Sequence, residues 1–447
     1  MKTCILRLLA VYNTTQPVRA KVRYNSAKSQ QPATSSTTVM MKNDERKFAV
    51  CDSFVEFMIR KHQEELQRLS ALIREEAIQR YNSYLQTVHY RNNIITGLRR
   101  ILARSHDQYL VPVGSTASGL ASGVSDIDLV YMSTTDEKQR ERLLRLLSKE
   151  NFRRTFMTEV KTRIKESSLC KEFDWSQTDI IHTARVPILH LQTQKHMQVD
   201  IQFEKYASIR NTYFVRRCAQ YDARVVLLNM WAQKWLELQR LKDSKHGLFS
   251  TYHVLMLVLH FLQCTGSYGI QPILPVMCKK FRGNLRPTLP IQRVALSLYE
   301  NPKSLDFHEK QEPDVAELIL LFVSHYAKYD FNNISFHLHN ATVTERNQFG
   351  NEYEQHQVSI FDPYASTTVC RVKGGADLLT NAFQITKRAM LAGLIDFFRN
   401  KTWHFSNALK SSDRVSFARM ELSVKTVEKL LVHRHRELKR KIREDYG

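Results

Sequence analysis

Two aspartates in an apolar run, placed behind a glycine–serine turn, constrain this chain more than any other feature. The run contains Asp126 and Asp128, and it follows a strand-like segment that ends at Gly114-Ser115. Side chains two residues apart on a β-strand project from the same face, so both carboxylates should point the same way. A third acid, Asp200, lies in a later strand-like run. If the two strands are neighbours, three carboxylates converge on one point.

Three neighbouring carboxylates call for cations. Like charges a few Å apart cannot all stay ionised, and hard divalent metals such as Mg²⁺ or Mn²⁺ relieve the repulsion. Two such ions can activate one oxygen and stabilise another in an in-line phosphoryl displacement. The Gly-Ser turn adds to this pattern, because free backbone N–H groups at the start of a helix face a phosphate. Either pattern alone is common on solvated turns, but their order predicts a site for a nucleotide and two metal ions.

The same residues resemble the nucleotidyltransferase core of the DNA polymerase β superfamily. Further segments are similar to the terminal ribonucleotidyltransferases, which are template-free poly(A) and poly(U) RNA polymerases, and among them to the mitochondrial poly(A) polymerases. The resemblance covers roughly residues 90–395. Its remaining segments are 184–188, 211–212, 221–225, 247–252, 272–275, 321–331 and 362–364.

The resemblance implies an α+β fold. It consists of a polymerase β-type nucleotidyltransferase domain, with a mixed sheet and helices, and a mainly helical central domain. We expect N-terminal helices and the catalytic domain over residues 44–205, and the central domain over 206–447. The central domain should include a poly(A)-polymerase-associated module near 310–370 and end in a basic helix over 424–443.

The resemblance also assigns roles to the acids. Asp126 and Asp128 would bind both metal ions, and Asp200 would bind the catalytic ion near the 3′-hydroxyl of the RNA. That ion lowers the pKa of the hydroxyl, so no histidine base is required. The resemblance therefore identifies the three aspartates as both metal ligands and catalytic residues.

A second group of residues is implied to bind the nucleotide. Asn211 would contact the ribose and its 2′-hydroxyl, and Tyr252 would stack on the base. Ser115 would hold the phosphates. The complete set is Gly114, Ser115, Asn211, Thr212, Lys234, Thr251 and Tyr252.

The chain departs from the family pattern at the triphosphate. Family members carry two lysines four residues apart on the helix after the ribose contacts, where this chain has Asn229 and Gln233. Lys234 is one residue away, turned about 100° around the helix. Weaker phosphate binding is therefore expected unless Lys245 or Arg210 compensates.

A second departure concerns the base. Uridine-adding members usually carry a histidine after the segment that here reads Asp362-Pro363-Tyr364, and this chain continues with Ser366-Thr367-Thr368-Val369. The missing imidazole leaves room for a purine, which favours ATP over UTP. A catalytically impaired RNA-binding subunit or scaffold is the alternative class, and the missing lysines favour it.

Composition agrees with a polyanionic substrate. The chain has 447 residues and a formal net charge of +22, which attracts nucleic acid or, alternatively, an anionic membrane surface. An RNA 3′ end is the expected partner, and target choice is left to an RNA-binding protein as a further partner. The seven cysteines contain no CxxC pair, which disfavours a zinc knuckle or a disulfide framework. No apolar run approaches the length of a transmembrane segment.

Residues 1–43 differ from the rest of the chain, because they contain seven Lys or Arg residues and no acid. A basic, hydroxyl-rich and acid-free leader is typical of a mitochondrial transit peptide. We therefore expect import into the mitochondrial matrix. The alternative is a disordered basic arm on a cytoplasmic or nuclear protein.

Periodicity gives the remaining expectations. Apolar residues at three- and four-residue steps predict helix over 44–105, and Trp231 and Trp235 are expected in the core. The other predictions are strands within 106–132 and 180–205, charged helix over 136–178, mainly helix over 206–300, short strands at 334–336 and 358–361 around a polar loop at 340–356, and helix over 376–447.

Overall fold

The protein was analysed as a computed structural model that describes residues 51–182, 186–244, 247–308, 311–346, 357–365, 367–372 and 374–395. The chain divides into two units, Met1–Lys47 and Phe48–Gly447, and all described residues belong to the second. The predicted leader (1–43), the predicted basic helix (424–443), residues 183–185, Lys245 and Ser366 therefore lie outside the described residues. Among the described helices, none combines the length and apolarity that a membrane span requires.

Two N-terminal helices open the described chain, α1 (Ser53–Lys61) and the 40-residue α2 (Gln63–Leu102). The side chain of Asp52 accepts a hydrogen bond from the backbone N–H of Val55 and so caps α1. The apolar residues of α2 recur at helical spacing, which gives one buried stripe along its whole length. The helix predicted over this region is confirmed.

A five-stranded mixed sheet follows, with helices between its strands. Its elements are β1 (Tyr109–Val113), α3 (Gly114–Ser118), β2 (Ile127–Met132), α4 (Glu137–Leu147), α5 (Glu150–Lys165), a 3₁₀ turn (Ser168–Glu172), β3 (Phe173–Ile181), β4 (Ile188–Thr193) and β5 (Gln198–Phe203). The spatial order is β1-β2-β5-β4-β3, and only β2 and β5 run parallel. The strands predicted around Asp128 and Asp200 are therefore neighbours.

Helices dominate the rest of the chain. They are α6 (Tyr206–Tyr221), α7 (Arg224–Leu238), α8 (Thr251–Cys264), a 3₁₀ turn (Thr265–Tyr268), α9 (Met277–Lys280), α10 (Arg282–Leu285), α11 (Ile291–Leu298), α12 (Val315–Ala327) and α13 (Gly375–Leu391). A small sheet with the order β7-β6-β8 lies between the last two helices, from β6 (Ile334–His337), β7 (Thr342–Glu345) and β8 (Ser359–Phe361). The mixture of sheet and helix confirms the predicted α+β class.

Long helix α2 belongs to two cores at once. Its first half, with Leu66 and Ile73, is buried together with α7, α8, α12 and α13 in the helical core. Its second half, with Ile94 and Leu98, is buried against the sheet. The domain expected over residues 44–205 therefore contributes its N-terminal helices to the core of the domain expected after residue 206. A helix shared in this way ties the sheet to the helical part.

Two short strands differ from the sequence prediction. Residues 173–178 were predicted as helix but belong to β3, and residues 342–345 were predicted as loop but form β7. Both strands lie at the edge of their sheets and carry many exposed polar residues, so their sequences lack the regular apolar alternation of a half-buried strand. Trp231 is fully buried, and Trp235 is 1% exposed, which confirms their predicted place in the core.

Candidate functional site

The first side of the candidate site, termed the carboxylate side, consists of Asp126, Asp128 and Asp200. Asp128 on β2 pairs in register with Asp200 on the adjacent parallel strand β5. Asp126 precedes the first residue of β2 and is exposed. Burial, followed by the charges of Asp200 and Asp126, raises the pKa of Asp128 from 3.8 to about 7. The three charges therefore interact, and no described residue is found to offset the shift at Asp128.

Gly114 allows the carboxylate of Asp128 to lie against the backbone. The residue has φ +66°, a conformation that glycine adopts without strain. A Cβ atom at this position would lie 2.2 Å from Oδ2 of Asp128. Any larger residue would displace the carboxylate, so the Gly-Ser turn and the aspartates form one structural unit.

His190 contacts the third acid and was not identified from the sequence. It pairs in register with Asp200 across β4 and β5, and its Nδ1 lies 2.7 Å from Oδ1 of that carboxylate. One carboxylate oxygen of Asp200 is thus already engaged. A correct strand register would have revealed this neighbour, but residue spacing alone could not give that register.

Arg91 fixes the loop that carries Asp126, and it too was missed. The guanidinium is fully buried although it lies on the charged helix α2. It donates hydrogen bonds to the backbone carbonyls of Ser122, Gly123, Ser125 and Asp126. Burial lowers the pKa of this arginine from its ordinary value. The loop between the Gly-Ser helix and β2 is therefore held by a single buried cation.

The three carboxylates do not form a ready metal cage. Within the described part of the chain, no three His, Cys, Asp or Glu side chains are arranged so that they could hold a metal ion. Asp128 and Asp200 nevertheless lie side by side on adjacent strands, and the charges of Asp200 and Asp126 both act on Asp128. The donor chemistry of three carboxylates suits hard divalent ions, and metal binding by these residues remains a prediction.

The second side of the site, termed the nucleotide side, is built around Asp362, which is 5% exposed. Its Oδ2 accepts hydrogen bonds from Nδ2 of Asn211 at 2.8 Å and from the hydroxyl of Tyr252 at 3.3 Å. Its Oδ1 accepts one from the backbone N–H of Tyr364 at 2.7 Å. Burial and the neighbouring Asp362 raise the pKa of Tyr252, which keeps the phenol protonated. Asp362 thus orients two residues that the sequence predicts to contact the nucleotide.

Asn211 retains one unused hydrogen-bonding atom. Its Oδ1 is buried and has no hydrogen-bond partner in the part of the chain that the structure describes. An unsatisfied buried acceptor costs free energy, which a donor from a ligand would recover. A ribose hydroxyl is such a donor, so the geometry suits the predicted ribose contact.

Thr212 connects the two sides. Its hydroxyl donates to the carbonyl of Ser208 and accepts from the backbone N–H of Gly114 at 3.0 Å. The hydroxyl proton is therefore committed, and Thr212 can offer a ligand only an acceptor. Ser115 follows Gly114 on α3, and its hydroxyl bonds to none of the described residues. The ribose contact of Thr212 and the phosphate contact of Ser115 remain predictions.

The residues predicted around the triphosphate are only partly accounted for. Asn229 is 2% exposed and its Oδ1 lacks a partner, whereas Lys234 is half-buried on the same helix, α7. Arg210 donates to the carbonyl of Leu289 at 2.7 Å and so is used in fixing the segment before α11. Thr251 is exposed at the first turn of α8. These positions leave the phosphate contacts of Lys234 and Thr251 as predictions.

Thr368 occupies a structural position in the loop after Tyr364. Its hydroxyl donates to the carbonyl of Val358 and accepts from the backbone N–H groups of Ile360 and Cys370. Thr367, by contrast, is exposed. A histidine introduced to test base selection therefore belongs at Thr367, because at Thr368 it would break the turn.

Comparison with known proteins finds sequences and structures that are similar to this chain. The family model for the central palm domain of the poly(A) RNA polymerase, mitochondrial-like, matches residues 67–220. The poly(A) RNA polymerase GLD2 of Homo sapiens is 24% identical over 269 residues, which cover 58% of this chain and 50% of that protein. The poly(A) RNA polymerase gld-2 of Caenorhabditis elegans is 25% identical over 256 residues, covering 56% of this chain and 21% of that protein. The chain thus spans half or less of the length of these curated relatives.

Solved structures show a similar fold. One is the GLD-2/RNP-8 complex, with a TM-score of 0.52, 18% identity and coverage of 72% of this chain and 93% of that chain. Another is the Cid1 poly(U) polymerase with MgGTP bound, with a TM-score of 0.50, 19% identity and coverage of 71% and 94%. The chain therefore shares its overall fold with these two polymerases. The family model and the relatives thus show that part of the chain is similar to poly(A) RNA polymerases.

Proposed function

We propose that the protein adds ribonucleotides to RNA 3′ ends without a template, and that AMP from ATP is the main addition. The observation that carries this proposal is the pairing of Asp128 and Asp200 on adjacent strands beside the Gly114 turn. Poly(A) RNA polymerases among the similar sequences favour the same activity. The uridylyltransferase alternative is favoured by the similar fold of the Cid1 poly(U) polymerase.

The two sides of the site would divide the work. Asp126, Asp128 and Asp200 would hold two divalent cations, Mg²⁺ or Mn²⁺, which supply charge neutralisation and activation of the RNA 3′-hydroxyl. Asn211 would accept a hydrogen bond from the ribose, and Tyr252 would lie against the base. Gly114 and Ser115 would lie beside the phosphates. No protein base is required in this scheme, because the attacking hydroxyl loses its proton more easily near a cation.

The experiment that tests the proposal uses the purified full chain and a labelled single-stranded RNA. Each of the four nucleoside triphosphates is supplied separately, with Mg²⁺ or Mn²⁺. We expect the longest extension with ATP, because the loop that follows Tyr364, residues 365–369, contains no histidine. Preferential extension with UTP would reject the adenylyltransferase assignment and keep the enzyme class.

The variant Thr367→His sharpens the choice of nucleotide. It introduces an imidazole into the loop after Tyr364 and leaves the hydrogen bonds of Thr368 in that loop intact. We expect it to raise the use of UTP relative to ATP, and Thr367→Ala serves as the matched control. Extension by neither variant nor wild type with any nucleotide would favour the alternative of an RNA-binding subunit that lacks catalysis.

We further propose that the protein acts in mitochondria. The support is the acid-free composition of residues 1–43 and the mitochondrial-like description of the matching family model. Fusion of residues 1–43 to a fluorescent reporter should direct it to mitochondria with removal of the leader near Arg23. A reporter that stays cytosolic or nuclear and uncleaved would reject this localisation.

A further inference from the structure

A long stretch of the helical part contains cations but no acids. Between Asp243 and Glu300 the sequence has no aspartate or glutamate. Five cations fall within residues 279–293, termed the basic segment: Lys279, Lys280, Arg282, Arg286 and Arg293. All five are exposed, and none forms an ion pair with an acid in the described part of the chain. The basic segment therefore presents positive charge that the protein does not neutralise.

Aromatic side chains are interleaved with these cations. The ammonium of Lys280 lies 5.2 Å from the ring centroid of Tyr221 and donates to its hydroxyl at 3.2 Å. The ring of Tyr221 meets that of Phe281 edge to face, and the guanidinium of Arg217 lies over Phe281 at 4.9 Å. Tyr221 is 42% exposed although its neighbours hold it in place. An exposed aromatic ring fixed among cations is a surface on which a nucleic acid base can stack.

The basic segment is attached to the nucleotide side of the site. The carbonyl of Leu285 accepts a hydrogen bond from the hydroxyl of Tyr364 at 3.1 Å, and the carbonyl of Leu289 accepts one from Arg210 at 2.7 Å. Arg210 precedes Asn211 on α6, and Tyr364 also donates its backbone N–H to Asp362. The neighbour of Asn211 in the chain and the tyrosine that binds Asp362 thus both fix the backbone of the segment.

Helix α6 sets the distance between Asn211, the predicted ribose contact, and Tyr221. Tyr221 lies ten residues beyond Asn211 on this helix, which corresponds to about 15 Å along its axis. A single-stranded RNA spans such a distance with a few nucleotides. An RNA whose 3′ end lies at the site could therefore reach Tyr221 with its preceding nucleotides.

A role in solubility alone does not explain the positive charge of the basic segment. Helices α4 and α5 are also exposed and rich in cations, but there acids alternate with the cations and form pairs such as Glu141–Arg145 and Glu159–Arg163. A membrane surface would attract the same cations and could accommodate a tyrosine, but the hydrogen bonds to Tyr364 and Arg210 attach the basic segment to the nucleotide side of the site. The combination of unpaired cations and an exposed, supported tyrosine favours single-stranded RNA.

We propose that the basic segment and Tyr221 bind the RNA nucleotides that precede the 3′ end. Lys279, Arg282 and Arg286 contact the backbone phosphates, and Tyr221 stacks on a base. This inference rests on the proposed function, because it takes the substrate to be RNA with its 3′ end at the aspartates. It adds a binding surface that none of the predicted nucleotide or metal contacts includes.

The charge component is tested by binding alone. The full chain is titrated with a fluorescent single-stranded RNA, without nucleotide or divalent metal, at several salt concentrations. Lys279, Arg282 and Arg286 are replaced together by Gln, and the control variant carries Lys138→Gln, Arg142→Gln and Arg154→Gln on α4 and α5. Each lost phosphate contact lowers the magnitude of the slope of log K against log salt by about 0.7. In the test variant this magnitude should therefore fall by about 2, and the RNA should bind at least tenfold more weakly. The control should bind within about twofold of wild type.

The stacking component is tested separately with Tyr221→Leu. We expect about tenfold weaker binding of normal RNA and no change for an abasic oligonucleotide of equal length. Equal loss with both ligands would mean that Tyr221 supports the fold rather than a base.

The outcomes separate this inference from the proposed function. An unchanged salt slope in the test variant, or an equal loss in the control, would overturn the binding surface whether or not wild type extends RNA. Equal competition by RNA and polyglutamate in wild type would also overturn it and indicate an acidic protein partner. Altered binding combined with no extension by wild type would leave the surface standing and reject only the proposed activity.

Discussion

The two sides of the candidate site are stabilised in opposite ways. On the carboxylate side, Asp128 is half-buried beside two further acids, and burial and their charges raise its pKa, with no described residue found to offset the shift. On the nucleotide side, Asp362 is buried, but it accepts hydrogen bonds from Asn211, Tyr252 and the backbone of Tyr364. Carboxylates of the first kind destabilise a fold, and those of the second kind order it.

This difference indicates which interaction a ligand would add on each side of the site. The carboxylate side lacks positive charge, which divalent cations would supply. On the nucleotide side, Oδ1 of Asn211 has no donor among the described residues, and a ribose would supply one. Thr212 joins both sides through the backbone of Gly114, so occupation of one side is expected to affect the other.

The largest expected effect comes from closing the space between Gly114 and Asp128. Gly114→Ala should reduce RNA extension by at least about a hundredfold, because the new Cβ would collide with the carboxylate and φ +66° strains alanine. Steady-state extension assays give the loss. Gly393→Ala is the matched control, because that glycine also has a positive φ, +89°, but its Cβ would meet only the ring of His62, at 3.7 Å. If both variants retain activity, the close approach is not functional.

The next prediction concerns stability: Asp128→Asn should raise the unfolding free energy of the metal-free protein although it removes a predicted metal ligand. A pKa raised from 3.8 to about 7 corresponds to roughly 4 kcal/mol lost from the unfolding free energy when the carboxylate is ionised. Because the pKa is higher in the folded state, this cost grows as the pH rises from about 4 and is complete above pH 7. The gain in unfolding free energy of Asp128→Asn should therefore be largest at pH 8.

Urea unfolding of both proteins without metal, at pH 8 and pH 5.5, measures this difference. Asp179→Asn, an exposed acid on β3, controls for the general loss of one negative charge. Equal unfolding free energies of Asp128→Asn and wild type at pH 8 would show that charge repulsion on the carboxylate side does not destabilise the fold.

The smallest effect should come from the nucleotide side. Asn211→Ala removes the acceptor for the ribose and should raise the KM for ATP about tenfold, with a much smaller effect on 2′-deoxy-ATP. Competition between the two nucleotides measures the selectivity. Asn151→Ala, at an exposed position on α5, is the control for an asparagine without contacts to Asp362. A parallel loss for both nucleotides would indicate that Asn211 only positions Asp362.

The sequence was sufficient where local pattern dictates structure. The segments around Asp128 and Asp200 are apolar enough to be predicted as strands, and the Gly-Ser turn between β1 and α3 has a clear local signature. Their adjacency followed from the resemblance rather than from spacing. The buried tryptophans of α7 were equally evident from their helical spacing.

Long-range contacts explain what was missed. Arg91 lies in a charged helix and resembles any solvated arginine until the loop at 122–126 folds over it. His190 depends on the register of two strands, and Asp362 is brought to Asn211 from 151 residues away along the chain. The edge strand β3 lacks a regular apolar pattern because sheet pairing, rather than burial, holds much of it. Each of these features depends on topology, which residue spacing does not specify.

The central claim is that the carboxylate side is completed by divalent cations. Binding of Mn²⁺ to the full chain, in the presence of a non-hydrolysable ATP analogue and followed by electron paramagnetic resonance, tests it most directly. We expect two bound ions per wild-type chain, fewer in Asp200→Ala and almost none in Asp128→Asn, with Asp179→Asn unchanged. The same number of bound ions in wild type and both site variants would contradict the account.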